Sequence, residues 1–389
     1  MAPGRFASVP LLADVVAAIE EWFDPRWAES WDASGLTCGD PAEAVERVVL
    51  AVDAVPDTVA EAERGGAQLL LTHHPLLLSA VHSVATTEPK GALVHRLIRS
   101  GIAHYAAHTS ADVADPGVSD ALADRLGLTG LRPLEAMGLE APDKLVVFVP
   151  TDDAARMIDA LAQAGAGRIG AYERCAWTTI GVGTFRPTGQ ARPAIGRAGQ
   201  VEAVAETRVE MVVPSPVRRA VLDALRRAHP YEEPAFDLYP QVSVDGARGH
   251  GRVGELAAPT TLREFARHAA DVLPRTVWGV RAAGDPDRRV RTVAVCGGVG
   301  ADLIDAARDT GADAYLTSDL KHHRTLDAVT EHGPDAMALL DVAHWASEAP
   351  WLDAVAGRLR ERFGTTVDVT VSTVATDPWT LHESSASQW

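Results

Sequence analysis

Residues 9–23 place apolar side chains at helical spacing, with Ser8 as the expected cap and Pro10 in the first turn. The pattern then changes. Val48-Val49-Leu50-Ala51-Val52 is an unbroken apolar run of strand length, and residues 58–64 predict a helix that ends at Gly65-Gly66. Leu69-Leu70-Leu71 is a second unbroken run, and it enters Thr72-His73-His74-Pro75. Strand, helix and strand in such close succession form a βαβ unit, which implies a parallel sheet.

The same pattern returns near the other end. Residues 292–296 predict a strand, 302–308 a helix, and 314–316 a strand that enters Thr317-Ser318-Asp319. Gly66-Ala67-Gln68-Leu69-Leu70-Leu71-Thr72 aligns with Gly311-Ala312-Asp313-Ala314-Tyr315-Leu316-Thr317. We read this as a twofold structural repeat, although two unrelated βαβ units could match by chance. The loops after both second strands leave the carboxyl edge of a sheet, where open α/β sheets bind ligands.

Between the halves the pattern is different. Residues 144–149 predict a strand, 153–164 a helix and 165–170 a glycine-rich turn. Residues 177–185 and 209–213 predict further strands, and 217–228 a helix before His229-Pro230-Tyr231-Glu232-Glu233-Pro234. The order β-α-β-β-α-β is the ferredoxin-like pattern. Pro142 and the polar run 242–248 set its edges, so the expected division is 1–141, 142–241 and 242–389. The expected class is therefore α/β: two related βαβ-containing halves forming one domain, interrupted by a ferredoxin-like α+β insert.

Composition narrows the function classes. The net charge of −17 disfavours nucleic acid as a bulk partner, because such binding rests on Lys and Arg neutralising phosphates. Cys38, Cys175 and Cys296 are few and scattered, without a CxxC pair, which argues against a disulfide framework and fits a reducing cytoplasm. No secretory signal or membrane-spanning run is expected.

Three clusters carry candidate chemistry. His73 and His74 end a buried strand, and burying two imidazoles requires partners for both. Capping or exposed histidines would serve equally well for this pair alone. If a helix begins in Asp341-Val342-Ala343-His344-Trp345-Ala346-Ser347-Glu348, then His344 and Glu348 share one face; an ordinary helix-surface pair is the alternative. His108-Thr109-Ser110-Ala111-Asp112 offers a carboxylate from Asp112, with His108 a ligand or an orienting partner.

Together His73, His74, Asp112, His344 and Glu348 are too many for one closed tetrahedral ion and suit a pair of ions. Such a pair activates water and polarises phosphoryl or carbonyl oxygens. The Gly297-Gly298-Val299-Gly300 run fails the dinucleotide fingerprint at Leu303 and reads better as a tight packing turn. His322 and His323 follow Asp319 near the predicted site edge. Arg168, Arg174, Arg186, Arg192 and Arg197 read as a solvated face of the insert, with an anionic effector as the alternative.

At this point the chain resembles a known family, the Nif-three-like proteins, hexameric dinuclear-metal proteins also known as GTP cyclohydrolase 1 type 2 homologues. The resemblance rests on Glu29-Ser30-Trp31-Asp32 with Gly35-Leu36, Leu71-Thr72-His73-His74-Pro75, His108-Thr109 with Asp112, and Gly249-His250-Gly251-Arg252-Val253-Gly254. It extends through Ser318-Asp319-Leu320-Lys321-His322-His323 to the 341–348 segment. It implies that His73, His74, Asp112, His344 and Glu348 are metal ligands, that the protein is a homo-hexamer, and that the two halves form one metal-binding domain. The insert, with Gly181-Val182-Gly183-Thr184-Phe185-Arg186-Pro187, is similar to that of the family's long form and to signalling or metal-tolerance trimer domains. The chain departs from the family at Ser110-Ala111, Ser318 and Ala343, none of them a ligand.

The expected function is that of a metal-dependent hydrolase, of cyclohydrolase or phosphoesterase type, acting on a nucleotide or phosphorylated small molecule. It would use two divalent ions per chain (zinc, iron, manganese, cobalt or nickel), with His108 or His323 passing a proton. Two other readings stand beside it: a regulatory or metal-trafficking protein without catalysis, and a scaffold whose metals only hold an assembly together.

Overall fold

A computed structural model of the chain describes residues 8–138, 142–241, 245–331, 333 and 336–383. The chain forms two compact units, one from Met1–Met137 with Ala247–Trp389 and one from Gly138–Gly246. The expected crossings near 142 and 241 adjoin residues 139–141 and 242–244, which lie outside the described residues.

The first unit holds two sheets. One runs in the order Gly35–Cys38, Ala103–Ala106, Leu69–Thr72, Arg47–Ala51 and Asp368–Val371, parallel throughout except at Gly35–Cys38. The other runs Val280–Ala283, Ala338–Val342, Ala314–Ser318, Arg289–Val299, Asp245–Thr261 and Thr129–Gly138, with a parallel centre at 289–342.

The registers of the two sheets repeat. Val48 lies opposite Leu69 in one sheet and Val293 opposite Ala314 in the other. Gln68 Oε1 accepts from the backbone N–H groups of Glu46 and Arg47 (3.0 and 2.9 Å), and its counterpart Asp313 Oδ2 accepts from those of Arg291 and Thr292 (2.8 and 2.9 Å). The same register places Asp319 where the first sheet has His74.

Burial on both faces explains the unbroken apolar runs. Leu69 and Leu71 join a core with Leu12–Trp22 and Pro350–Phe363, while Leu70 faces Pro56–Gly65 and Pro89–Arg99 on the other side. Each such leucine contributes about 2 kcal/mol of transfer free energy. Helix Pro56–Gly65 stops as expected, because Gly66 adopts the left-handed conformation at its end (φ 62°).

Ser8 is not the first helix's cap. Leu11 bridges Ala44, the Pro10 carbonyl accepts from Val45, and the helix begins at Leu12 with Asp14 Oδ2 accepting from the Leu11 N–H at 2.9 Å. Pairing with 43–45 draws the preceding residues into extended backbone.

His104 is buried beneath the carboxyl edge. The Thr72 hydroxyl donates to the His74 carbonyl (2.7 Å), so it must accept from His104 Nε2 (2.9 Å), which leaves the buried Nδ1 without a partner among the described residues. Burial pushes His104 down to about 4. The native ring therefore stays neutral where the unfolded ring, titrating near 6.5, takes up a proton. Stability that is intact above about pH 6.5 is lost as the pH falls toward 4. Between pH 7.5 and 5 the parent is expected to lose about 2 kcal/mol more than His104→Gln, as measured by urea unfolding.

The second unit is an antiparallel sheet in the order Trp177–Phe185, Glu202–Val213, Asp143–Pro150 and Phe236–Pro240. Helices Ala154–Gln163 and Arg218–Ala228 cover one face around Leu145, Val147, Leu161, Val209 and Leu225. The element order is β-α-β-β-α-β. The third strand starts at Glu202 rather than 209, because its first part pairs with the exposed 181–185 segment and carries no apolar run.

Candidate metal centre

The strand Leu69–Thr72 continues its pairing one step past its end. The His73 N–H donates to the Ala51 carbonyl (3.2 Å) and the His74 N–H to the Val52 carbonyl (2.9 Å). Both imidazoles nevertheless meet, with centroids 4.9 Å apart. His73 is buried, and its Nδ1 lies 2.9 Å from the Ala107 carbonyl. A carbonyl only accepts, so Nδ1 carries the proton and Nε2 presents a lone pair. His74 Nδ1 lies 2.8 Å from Asp53 Oδ1 in the same sense.

The second half supplies the opposing wall. After Ala338–Val342 the chain turns into helix His344–Glu348, so these two residues share a face, and His344 Nε2 lies 3.0 Å from Glu348 Oε1. Asp319 Oδ2 holds His344 Nδ1 at 2.6 Å. Asp319 has a left-handed backbone (φ 57°), a sparsely populated state that Asp tolerates better than most residues.

The ε-nitrogens converge on Glu348. Its Oε1 lies 3.4 Å from His73 Nε2, and its Oε2 lies 3.2 Å from His74 Nε2. His74 Nε2 and His344 Nε2 face each other at 3.3 Å. Two nitrogens whose other ring positions donate to aspartates repel at that distance unless a cation or a proton lies between them. His73 Nε2 and Glu348 Oε2 are buried without a hydrogen bond among the described residues, the signature of donors prepared for another partner. The imidazole-carboxylate set suits a divalent transition metal.

Electrostatics agree. Burial disfavours charge on His74 and His344, but Glu348, with Asp53 and Asp319 respectively, outweighs it and holds them up at about 10 and about 11. His73 is also raised, since Glu348 and Asp112 overcome its burial. Glu348 is held well below the usual range, its own burial overcome by the three rings. Protons and metal ions compete for these lone pairs.

Asp112 closes helix Thr109–Asp112, with Oδ1 3.6 Å from His73 Nε2; burial raises its pKa, Glu348 adds to this and His73 opposes it. His108 stacks edge-on to both His73 and His74, at 5.3 and 5.4 Å, and its Nδ1 is fixed by Asp32 Oδ1 at 2.7 Å. Among the described residues, two sets of ligand atoms lie close enough to share an ion: His73, His74 and His108, and His74, His344 and Glu348. His323 is not brought to this cluster. It stands exposed in the first turn of helix His322–Thr330, with His322 as its ring partner among the described residues.

Several contributors were not assigned a role from sequence. Asp32 accepts from Ser34, from the Thr109 hydroxyl and N–H, and from His108. Asp53 and Asp319 orient His74 and His344. The 297–300 run is not a tight turn: strand Arg289–Val299 passes through it, and a Cβ on Gly298 would meet Glu348 Oε1 at 2.5 Å. The Gly298 N–H is used by Ser347 Oγ (2.8 Å), not by an anion, and Ser318 Oγ also meets Ser347 Oγ (3.0 Å).

Replacing Asp319 with asparagine tests the orienting carboxylates. Asparagine tolerates the same backbone and still accepts from Nδ1, so the change isolates the charge. Metal affinity is expected to fall about 10-fold or more, read by competition with a chelating dye.

A cavity of ≈ 680 Å³ opens beside His74 and His344, walled by Trp278, Arg281, Lys321, Trp345 and the 376–379 tail. No helix among the described residues is long and apolar enough to cross a membrane.

Comparison with known proteins gives consistent results. The sequence profile of Duf34/NIF3 (NGG1p interacting factor 3) matches residues 10–378. The GTP cyclohydrolase 1 type 2 homolog of Mycobacterium leprae is 49% identical over 371 residues, covering 95% of each chain. Its namesake in Bacillus subtilis is 36% identical over 372 residues, covering 94% of this chain and 97% of its own. Among solved structures, the Bacillus cereus protein related to NIF3 is 34% identical with a TM-score of 0.71, covering 97% of this chain and all of its own. A Staphylococcus aureus protein is 28% identical with a TM-score of 0.79, covering 96% and 99%.

Proposed function

The chain belongs to the Duf34/NIF3 family, and from that premise we propose that it is a dinuclear metal-binding protein acting as a hydrolase on a nucleotide or other phosphorylated small molecule. The observation that carries the reading is the convergence of three histidine ε-nitrogens on the buried Glu348 carboxylate, with His73 Nε2 unpartnered among the described residues. His73, His74, Asp112, His344 and Glu348 would hold two divalent ions, with the two oxygens of Glu348 turned toward different rings. Such ions supply Lewis acidity and an activated water when bound.

The chain's own groups have separate tasks. Asp53, Asp319 and the Ala107 carbonyl fix the tautomers of His74, His344 and His73. Asp32, strongly depressed because its hydrogen bonds overcome its burial, stays anionic and keeps the proton on His108 Nδ1. His108, held in place by Asp32, would pass a proton during turnover rather than hold an ion. His323 has no part in this assignment. The name shared by the two curated relatives supports a nucleotide as substrate.

The test is elemental analysis of protein prepared without chelator or tag-derived nickel, followed by turnover on a nucleotide and phosphoester panel. About two ions per chain and metal-dependent turnover are expected. Tight, exchangeable metal without turnover would favour a regulatory or trafficking role. The insert's own cavity of ≈ 710 Å³, lined by Phe148, Arg186, Glu206, Arg208 and Tyr231, gives that second reading a place for an effector. We also propose a cytoplasmic homo-hexamer. Light scattering tests the assembly, and ligand variants that lose it but keep turnover would favour the scaffold role for the metals.

A further inference from the structure

We infer that the C-terminal segment 372–379 is a strap that closes the metal centre. It ties the carboxylate that orients His74 to the segment that orients His344, so that docking of the strap and binding of metal strengthen each other. The inference rests on the reading of His74 and His344 as metal ligands, and not on the reaction they serve.

Past strand Asp368–Val371 the described chain has no further helix or strand. Holding irregular backbone in one conformation costs entropy at every residue, so side-chain ties must offset it. Ser372 is the root of the strap. Its N–H donates to the Leu50 carbonyl (2.8 Å), its hydroxyl donates to Glu61, and the same oxygen accepts from the Val374 N–H (3.1 Å). Further ties lie beyond it. The Thr376 hydroxyl donates to Asp53 Oδ2, while Asp53 Oδ1 faces His74 Nδ1 at 2.8 Å. Asp377 accepts from the Trp379 N–H, and with Pro378 between them this fixes the turn that brings Trp379 onto Trp278. The two indoles are stacked, with centroids 5.8 Å apart and planes 29° from parallel.

Trp278 belongs to the other half of the centre. Its Nε1–H donates to Asp341 Oδ2 (3.1 Å), and Arg281, paired with the same carboxylate, lies 4.0 Å above its ring. Asp341 Oδ1 in turn accepts from the N–H of Leu320 (3.0 Å), the residue after Asp319, whose carboxylate holds His344. The strap thus reaches both rings: through Thr376 and Asp53 on one side, and through Trp379, Trp278 and Asp341 on the other. These are the rings whose ε-nitrogens face each other at 3.3 Å. A shared ion draws them together and fixes both anchor points, which favours the docked strap. By linkage, the docked strap favours the ion by the same factor. Residues 376–379 also wall the ≈ 680 Å³ cavity beside His74 and His344, so an undocked strap opens that side of the centre to solvent.

The test uses the full-length protein, loaded with metal and then stripped of it. Affinity is read by competition with a chelating dye, release by transfer of metal to excess chelator, and docking by hydrogen exchange of backbone 373–379. Trp379→Ala removes no group beside the ligands, yet it should weaken affinity roughly 3–10-fold through faster release, and Trp379→Phe should restore most of the loss. Thr376→Val should weaken affinity about 5-fold, whereas Thr376→Ser, which keeps the hydroxyl, should not. Stripping metal from the parent should speed exchange across 373–379 by a similar factor while leaving strand Asp368–Val371 unchanged. Parent-level affinity and release in both Trp379→Ala and Thr376→Val, or tail exchange indifferent to metal, overturns the strap and leaves the metal centre standing. A parent that binds no metal overturns the centre and the strap together.

Discussion

Glu348→Ala protein is expected to emerge from purification with little bound metal, its affinity reduced by more than the roughly 10–100-fold typical of losing an outer partner. Glu348 faces all three rings: Oε1 toward His73 and His344, Oε2 toward His74. It is also 3% exposed, so no water takes over its charge. Removing it leaves the inward-facing nitrogens with no negative group between them. Glu348→Gln separates charge from volume, since it fills the same space but places an amide where a carboxylate oxygen was. Both variants should lose metal by elemental analysis. In chelated protein Glu348→Ala should also destabilise the first unit by about 3–5 kcal/mol, because the raised histidines lose their counter-charge. Metal retained at the parent level in both variants would sink the ligand assignment. For the parent, metal binding is expected to strengthen as the pH rises toward 10, where His74 gives up its competing proton.

The strands were legible for a physical reason. Leu69, Leu70 and Leu71 each face a core, so the run has no polar interruption, and the parallel sheet follows from that. His73, His74, His344 and Glu348 were legible because a histidine pair at a strand end and a four-residue helical spacing are local patterns. The carboxylates behind them were not. Asp53 meets a histidine 21 residues away and Asp32 one 76 residues away, and nothing beside either residue in the chain announces the meeting. Asp319 differs, because the internal repeat carries the information. It occupies the position of His74 after the equivalent strand of the other half, so the repeat placed it at the carboxyl edge although it gave no sign that it would orient His344. His323 follows Asp319 closely in sequence, but the turn into helix His322–Thr330 leaves it exposed, with His322 as its ring partner among the described residues. The tail at 376–379 carries no periodicity and becomes meaningful only through its bond to Asp53.

At Gly298 the two halves of the repeat diverge. In register it corresponds to Asp53, yet the two edges use the position in opposite ways: one places a carboxylate there, and the other clears space for one. An alanine at Gly298 would put a methyl 2.5 Å from Glu348 Oε1 and 3.4 Å from His344 Nε2, and it would do so at φ 68°, where a Cβ costs about 1–2 kcal/mol. Glu348 cannot retreat easily, because Ser347 beside it is bonded to the Gly298 N–H and to Ser318. The carboxylate must therefore shift by several tenths of an ångström within a site that tolerates little displacement. Gly298→Ala is expected to lower metal affinity on the order of 100-fold while removing no donor atom, with the fold of both units retained by circular dichroism. A Ser347→Ala change in the same background releases one of the restraints on the helix and should recover part of the loss. Parent-level metal in Gly298→Ala would mean that Glu348 Oε1 is not a ligand atom, and the dinuclear assignment would then have to rest on Oε2 alone.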